Sequence, residues 1–329
     1  MIYVTLGRSG LKVSRACLGA MNFGIAHTAP WCDEAEARRI IDTFLDAGHN
    51  LIDTANNYTA GQSEEVIGRA VAGRRHGVVI ATKARIAQGP GPNDSGLSRL
   101  HLTAALDASL RRLGTDYIDL YQMHSWDAET PIEETMETLA GFVRAGKVRY
   151  IGCSNFYGSQ IVEAQWAAAR VQGVPLIGLQ PRYSLISREI EADVLPAAER
   201  HGLGTLTFGA LAGGILSGKY RRHEAPSQDM RYGGSMGTRG DARMAAMALH
   251  SLSARNFDIA ETVSAVAAEI GATPAAVAIA WCLARQRVTS VITGARTVEQ
   301  LQTNLAGYTL QLPQEAEKRL SDVSRVGGG

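Results

Sequence analysis

Short apolar runs recur along the chain, with amphipathic stretches between them. The runs are RACLG (15–19), HNLID (49–53), GVVIATK (77–83), DYIDLYQMH (116–124), KVRYIGCSN (147–155), PLIGLQ (175–180), LGTLTF (203–208) and VTSVITG (288–294). Runs of this length bounded by turn residues read as strands. DEAEARRIIDTFLDAG (33–48), LTAALDASLRRLG (102–114) and PIEETMETLAGFVRAG (131–146) show helical spacing instead. Gly48, Gly114, Gly146 and Gly202 sit where left-handed helix caps are expected.

Eight strands alternating with helices through short connections imply parallel βαβ units. In one chain of 329 residues they predict an α/β fold, a (β/α)8 TIM barrel. The rival, a doubly wound open sheet, usually carries GxGxxG after its first strand. LGAMNFG stands there and lacks the pattern. The N-terminal IYVTLGRSGLKVS predicts a β-hairpin turning at Arg8-Ser9-Gly10 and closing the barrel floor. No linker divides the chain, so residues 1–329 are expected to form a single domain, with a disordered tail at 325–329. GPGPNDSG (89–96) and HEAPSQDMRYGGSMGTRGD (223–241) are long polar loops, candidates for mobile lids.

Composition narrows the function. Lys and Arg number 33 against 32 Asp and Glu, a net charge of +1, which argues against a nucleic-acid surface. No window approaches the length of a membrane span and the N-terminus has no clean apolar signal region. Cys17, Cys32, Cys153 and Cys282 show neither CxxC spacing nor histidine pairing, so no metal site or disulfide scaffold is expected. These features predict a cytoplasmic small-molecule enzyme.

In a barrel, strand C-terminal ends and the loops after them build the active site. Asp53 ends the second of the eight strands, Lys83 the third and His124 the fourth, while Tyr58 lies in the loop after Asp53. Ser63, with Glu64 and Glu65 behind it, reads as the start of the next helix. Singly, such residues are ordinary caps, rim groups or surface charges; at successive strand ends they converge. Asp53 can hold Lys83, whose ammonium is expected to depress the Tyr58 pKa and make it a general acid. His124 can orient a carbonyl oxygen beside it.

NLIDTANNYTAGQSEEVIG, IATK, DLYQMHSWD and GKVRYIGCSNF resemble motifs of the aldo-keto reductases, and the likeness runs from about residue 3 to residue 310. The resemblance implies a catalytic tetrad of Asp53, Tyr58, Lys83 and His124. It also implies reversible hydride transfer between NADP(H) and a small aldehyde or ketone, without metal or flavin. Ser154, Asn155 and Gln180 then correspond to contacts of the nicotinamide carboxamide, and Phe208 stands where Tyr or Trp usually stacks on the ring. FGALAGGILSGKY (208–220) resembles the loop over the pyrophosphate, with Gly209-Ala210-Leu211 in place of Ser-Pro-Leu. Cofactor contacts are implied at Met21, Gly209, Leu211, Gly213 and Lys219, and at Arg231 from the long loop. TGARTVEQLQTN (293–304) resembles the adenosine-phosphate segment and implies Gly294, Arg296, Gln300 and Asn304. Thr297 to Gln300 also reads as a capping box exposing a helix N-terminus to phosphate. Trp126 and Phe23 are expected to shape the substrate pocket.

Gly213, Gly218 and Lys219 satisfy GxxxxGK, yet Tyr220 follows where a P-loop needs Ser or Thr. A regulatory, cofactor-sensing subunit like the potassium-channel β subunits shares this fold and tetrad, and nothing in the sequence resembles a channel-docking extension. Substrate identity and oligomeric state stay open.

Overall fold

The computed structural model describes residues 3–24, 32–227, 230–233 and 250–325. A hairpin of β1 (Tyr3–Thr5) and β2 (Lys12–Ser14) precedes eight strands: β3 (Ala16–Gly19), β4 (Leu51–Asp53), β5 (Val79–Ala84), β6 (Ile118–Met123), β7 (Val148–Ser154), β8 (Gly178–Gln180), β9 (Gly204–Phe208) and β10 (Ser290–Gly294). These eight pair in parallel, and β10 returns to β3 to close the barrel. Each lies within the apolar run that predicts it, save that β5 runs one residue further to Ala84, because a strand covered on both faces is largely apolar.

The ring around the barrel comprises α1 (Glu34–Asp46), α2 (Gln62–Val71), α3 (Arg99–Leu113), α4 (Ile132–Arg144), α5 (Gly158–Arg170), α6 (Val194–Arg200), α7 (Ala254–Glu269), α8 (Pro274–Leu283), α9 (Val298–Ala306) and α10 (Gln314–Val323). The four glycines predicted as caps follow α1, α3, α4 and α6 with φ of 84°, 60°, 73° and 72°. α8 is buried from Ala275 to Leu283. Among the described residues no single helix is long and apolar enough to cross a membrane.

The hairpin closes the floor with Leu6 and Val13, both fully buried, and with Val4 and Leu11 packed against them. Its turn is pinned by the Leu6 N–H donating to the Leu11 carbonyl at 2.8 Å. That sends Leu6, fully buried, up against Cys17, Leu51, Leu120 and Leu206 from the strands. An apolar plug at the bottom leaves the polar chemistry to the top. Of the two predicted lids, 89–96 is described, whereas 223–241 lies partly outside the described residues. The predicted tail also lies outside them except Arg325, which donates to Asp322 Oδ1 at 3.1 Å.

Candidate active site

The ends of β4, β5 and β6 bring the four expected residues to one spot. Lys83 Nζ, fully buried, donates to Asp53 Oδ2 at 2.8 Å, to the Thr54 carbonyl at 2.7 Å and to Tyr58 Oη at 3.3 Å. The Tyr58 ring meets the His124 ring edge-on, with centroids 5.9 Å apart. Burial alone would pull the Lys83 ammonium down, but Asp53 and Tyr58 together hold it above its ordinary value.

Lys83 lowers the Tyr58 pKa as expected, but the net shift is upward. Burial pushes the Tyr58 phenol above its ordinary value, and Asp53 adds to the rise; Lys83 takes back only part of it. Desolvation of the phenolate outweighs one nearby cation. His124 moves the other way, pulled down to about 3 by burial and by the cations Lys83 and Arg85. The tetrad therefore presents a neutral phenol and a neutral imidazole at physiological pH.

The turn that raises Tyr58 is unusual backbone. Tyr58–Gly61 form a 3₁₀ turn in which Thr59 and Ala60 take left-handed φ of 50° and 54°. A β-branched residue there is strained, at a cost of about 1–3 kcal/mol. Two ties hold the turn: Thr59 Oγ1 donates to the Phe23 carbonyl at 2.9 Å, and Arg112 packs beneath Gly61, where a Cβ would fall 2.8 Å from its Cδ. α2 starts at Gln62 behind Gly61, without a side-chain cap. Ser63 instead bonds Thr54 Oγ1 and the Ala20 carbonyl, both at 2.8 Å. Glu64, read from sequence as a first-turn charge, is fully buried. It accepts from Thr82 Oγ1 at 2.6 Å and from Arg112 Nε at 2.7 Å, fastening α2 to β5 and α3.

A cleft of about 1040 Å³ runs from Asp53, Tyr58 and His124 across the barrel mouth to α9, and all fourteen residues expected to touch the cofactor line it. Near the tetrad the polar groups are already oriented. Gln180 Nε2 donates to Asp53 Oδ1 at 2.7 Å. A carboxylate only accepts, so the Gln180 amide must turn its oxygen away from Asp53. Ser154 Oγ donates to the Gln180 carbonyl at 2.9 Å, and Asn155 Nδ2 donates to the His124 carbonyl and Ser154 Oγ, each at 3.0 Å. Phe208 ends β9 half-buried, with a ring face available for stacking. Gly214 has no room for a Cβ beside the Lys219 stem, so the chain between β9 and Lys219 packs backbone against that cation. These donors, the ring and the cations suit a nicotinamide dinucleotide.

The far end differs in detail from expectation. Thr297 Oγ1 caps α9 by accepting from the Gln300 N–H at 3.2 Å. Gln300 Oε1 accepts from the Arg296 N–H at 2.9 Å, one residue earlier than a standard capping box. Glu36 of α1 takes the Val298 N–H at 2.9 Å, so a carboxylate already occupies part of the helix N-terminus expected to receive phosphate. Asn304 Nδ2 donates to the Gly294 carbonyl at 3.2 Å. The GxxxxGK segment is not a P-loop: Lys219 opens no helix, and residues 218–227 contain none.

Both residues expected to shape the substrate pocket fall outside the cleft lining. Phe23 is fully buried and serves the Tyr58 turn through its carbonyl. Trp126 packs edge-on against Phe156 at 5.3 Å. The Phe23 ring belongs to the main core, and Trp126 packs half-buried against it. Sequence reading missed Asn57, Arg182 and Thr273 to Ala275, which line the cleft. Thr273 before Pro274 carried a signal, a capping residue followed by proline at the first helical position.

A parallel eight-stranded barrel with a buried Lys–Asp pair under a tyrosine at its mouth defines a class, and sequence comparison agrees. Residues 15–325 match the model of the Aldo/keto reductase family, and the chain belongs to that family. It is 41% identical to "Uncharacterized oxidoreductase YrpG" of Bacillus subtilis (strain 168), over 100% of this chain and 98% of that one. It is 39% identical to a probable voltage-gated potassium channel subunit beta of Arabidopsis thaliana, over 93% of this chain and 90% of that one. Identity to the L-glyceraldehyde 3-phosphate reductase of Escherichia coli (strain K12) is 33%, over 93% of this chain and 87% of that one.

Proposed function

We propose that this protein is an NADP(H)-dependent reductase of small aldehydes or ketones, with Tyr58 as the general acid. The observation that carries the reading is the contact chain from Asp53 through Lys83 Nζ to Tyr58 Oη at the cleft. When bound, NADP(H) supplies the hydride. Ser154, Asn155 and Gln180 would hold the carboxamide, Phe208 would stack on the ring, and Lys219, Arg231 and Arg296 would face the phosphates. Tyr58 passes its proton to the carbonyl oxygen while Lys83 stays hydrogen-bonded to the phenol oxygen and stabilises the charge that develops there. His124, neutral, offers an uncharged hydrogen bond to the same oxygen. Four buried, unpaired cysteines suit a reducing cytoplasm.

A panel of aldehydes, ketones and sugars with NADPH, followed at the cofactor absorbance, tests the reading. Steady-state consumption with at least one carbonyl compound is expected. The relatives named as potassium channel subunits favour a second reading, a cofactor sensor. Single-turnover oxidation without release would establish the sensor and overturn the reductase.

A further inference from the structure

Asp53 and Gln180 end β4 and β8, and Gln122 is the last residue but one of β6; the three strands alternate around the barrel. Side chains from alternate strands fill a common layer of a barrel's interior, usually with branched apolar residues. Here three buried polar groups meet. Gln122 is 1% exposed and sits in register between Lys83 on β5 and Gly152 on β7. Gly152 makes the room: a Cβ there would lie 3.3 Å from Gln122 Cγ. Gln122 Nε2 stands 3.5 Å from Asp53 Oδ1, the oxygen that also accepts from Gln180. Gln122 Oε1 is buried and accepts no hydrogen bond among the described residues. An orphaned buried acceptor destabilises the fold, and leucine would fill the same space without one. The gain must lie in the N–H aimed at Asp53.

We propose that Gln122 is a positioning residue for the Tyr58 acid, acting through Asp53; the inference rests on the reductase reading above. Asp53 Oδ2 is committed to Lys83, so its aim depends on what holds Oδ1. Two amides share that task, and only Gln180 lines the cleft. Gln122 keeps the carboxylate fixed toward Lys83 from a place the cofactor does not reach. Its N–H also presents the positive end of a dipole to the tetrad. Removing that end disfavours the phenolate, so Tyr58 becomes a weaker acid and holds its proton to higher pH.

The test compares Gln122→Leu and Gln122→Glu with wild type in kcat, its pH profile, NADPH dissociation constant and Tm. For Gln122→Leu, kcat is expected to fall about tenfold, the effect of one weak hydrogen bond to a charged group. The alkaline limb of kcat moves to higher pH, NADPH affinity is unchanged, and Tm holds or rises. Gln122→Glu keeps the shape, and at this buried place beside Asp53 its carboxylic acid stays protonated and donates an O–H to Oδ1 instead, so kcat and the limb stay near wild type. A residue that merely packs gives the opposite pattern, a lower Tm with kcat and the limb unmoved in both variants, and that result overturns the proposal. Loss of NADPH affinity in step with kcat overturns it too. If wild type itself shows no steady-state turnover, the reductase reading fails. Titration of the tyrosinate absorbance, with Tyr58→Phe as blank, then decides whether Gln122 sets the Tyr58 proton.

Discussion

Lys83 Nζ stands 3.3 Å from Tyr58 Oη, and the phenol still holds its proton above the ordinary tyrosine value. Burial raises the phenol more than the ammonium lowers it. In Tyr58→Phe the proton donor is gone while the ring, the turn and the cleft lining stay. Turnover is expected to fall by about 10²–10⁴-fold, the usual size of general acid catalysis, with NADPH binding retained. Near-wild-type turnover in this variant would end the proton-donor assignment. The same relationship sets the wild-type profile: reduction fades only as alkaline pH removes the phenol proton.

How much of this was legible beforehand depends on the range of the forces involved. The eight strands, the hairpin and the glycine caps follow from local periodicity and turn chemistry, which neighbouring residues fix. Asp53, Tyr58, Lys83 and His124 were legible because strand ends in a barrel converge by topology. The direction of the Tyr58 shift was not, since it balances desolvation against a charge and burial depth has no signature in a motif. Glu64 stands in the first turn of α2 as expected, but its burial was not legible, for a similar reason. A glutamate in a first helical turn is normally solvated, and only the distant Arg112 and Thr82 make its burial tolerable. The places of Phe23 and Trp126 outside the cleft lining were not legible either, since no motif shows that a ring such as Phe156 stands beside Trp126.

Glu64 supplies the next expectation. It is fully buried, and its charged partner among the described residues, Arg112, keeps 21% of its side chain exposed. Breaking a buried pair costs about 3–5 kcal/mol. Because the Arg112 left behind still reaches water, Glu64→Gln is expected near the lower end, with Tm down by several degrees. The Tyr58 turn packs on Arg112, so activity per folded molecule should fall as well. Thermal unfolding beside an active-site titration measures both. An unchanged Tm would show that the pair contributes nothing net to the fold.

His124 links acid to stability. Folded, it stays neutral down to about 3, whereas the unfolded imidazole takes a proton near the ordinary value of about 6.5. Between those values the unfolded chain binds more protons, so stability rises with pH there and is lost on acidification. Above about 6.5 the residue contributes no slope. His124→Gln removes the term, so its Tm should fall less steeply than wild type from about pH 7.5 to about pH 5. His49 and His101, also pulled down by burial, keep part of the slope in both proteins. Parallel Tm curves for variant and wild type would contradict a neutral His124 in the fold.

On the proposed reading, cofactor preference turns on Arg296. NADPH carries a ribose 2′-phosphate that NADH lacks, and a guanidinium matches phosphate oxygens with its fork of donors. The α9 N-terminus contributes less than its cap alone implies, because Glu36 takes the Val298 N–H and brings a carboxylate to the same end. That repulsion leaves the side chain of Arg296, half-buried at the rim of the cleft, as the principal attraction for a phosphate there. A hydrogen bond to a charged group contributes roughly 1.5–3 kcal/mol, or about one to two decades in binding. Arg296→Ala is therefore expected to weaken NADPH by that factor and leave NADH nearly unchanged. Glu36→Gln should move the other way, tightening NADPH by relieving the repulsion. Added salt should erode the preference in wild type more than in Arg296→Ala, since the contact sits at a partly exposed rim. Dissociation constants of both cofactors in the three proteins measure all of this. Equal losses of NADPH and NADH in Arg296→Ala would assign the residue to the pyrophosphate or the fold instead.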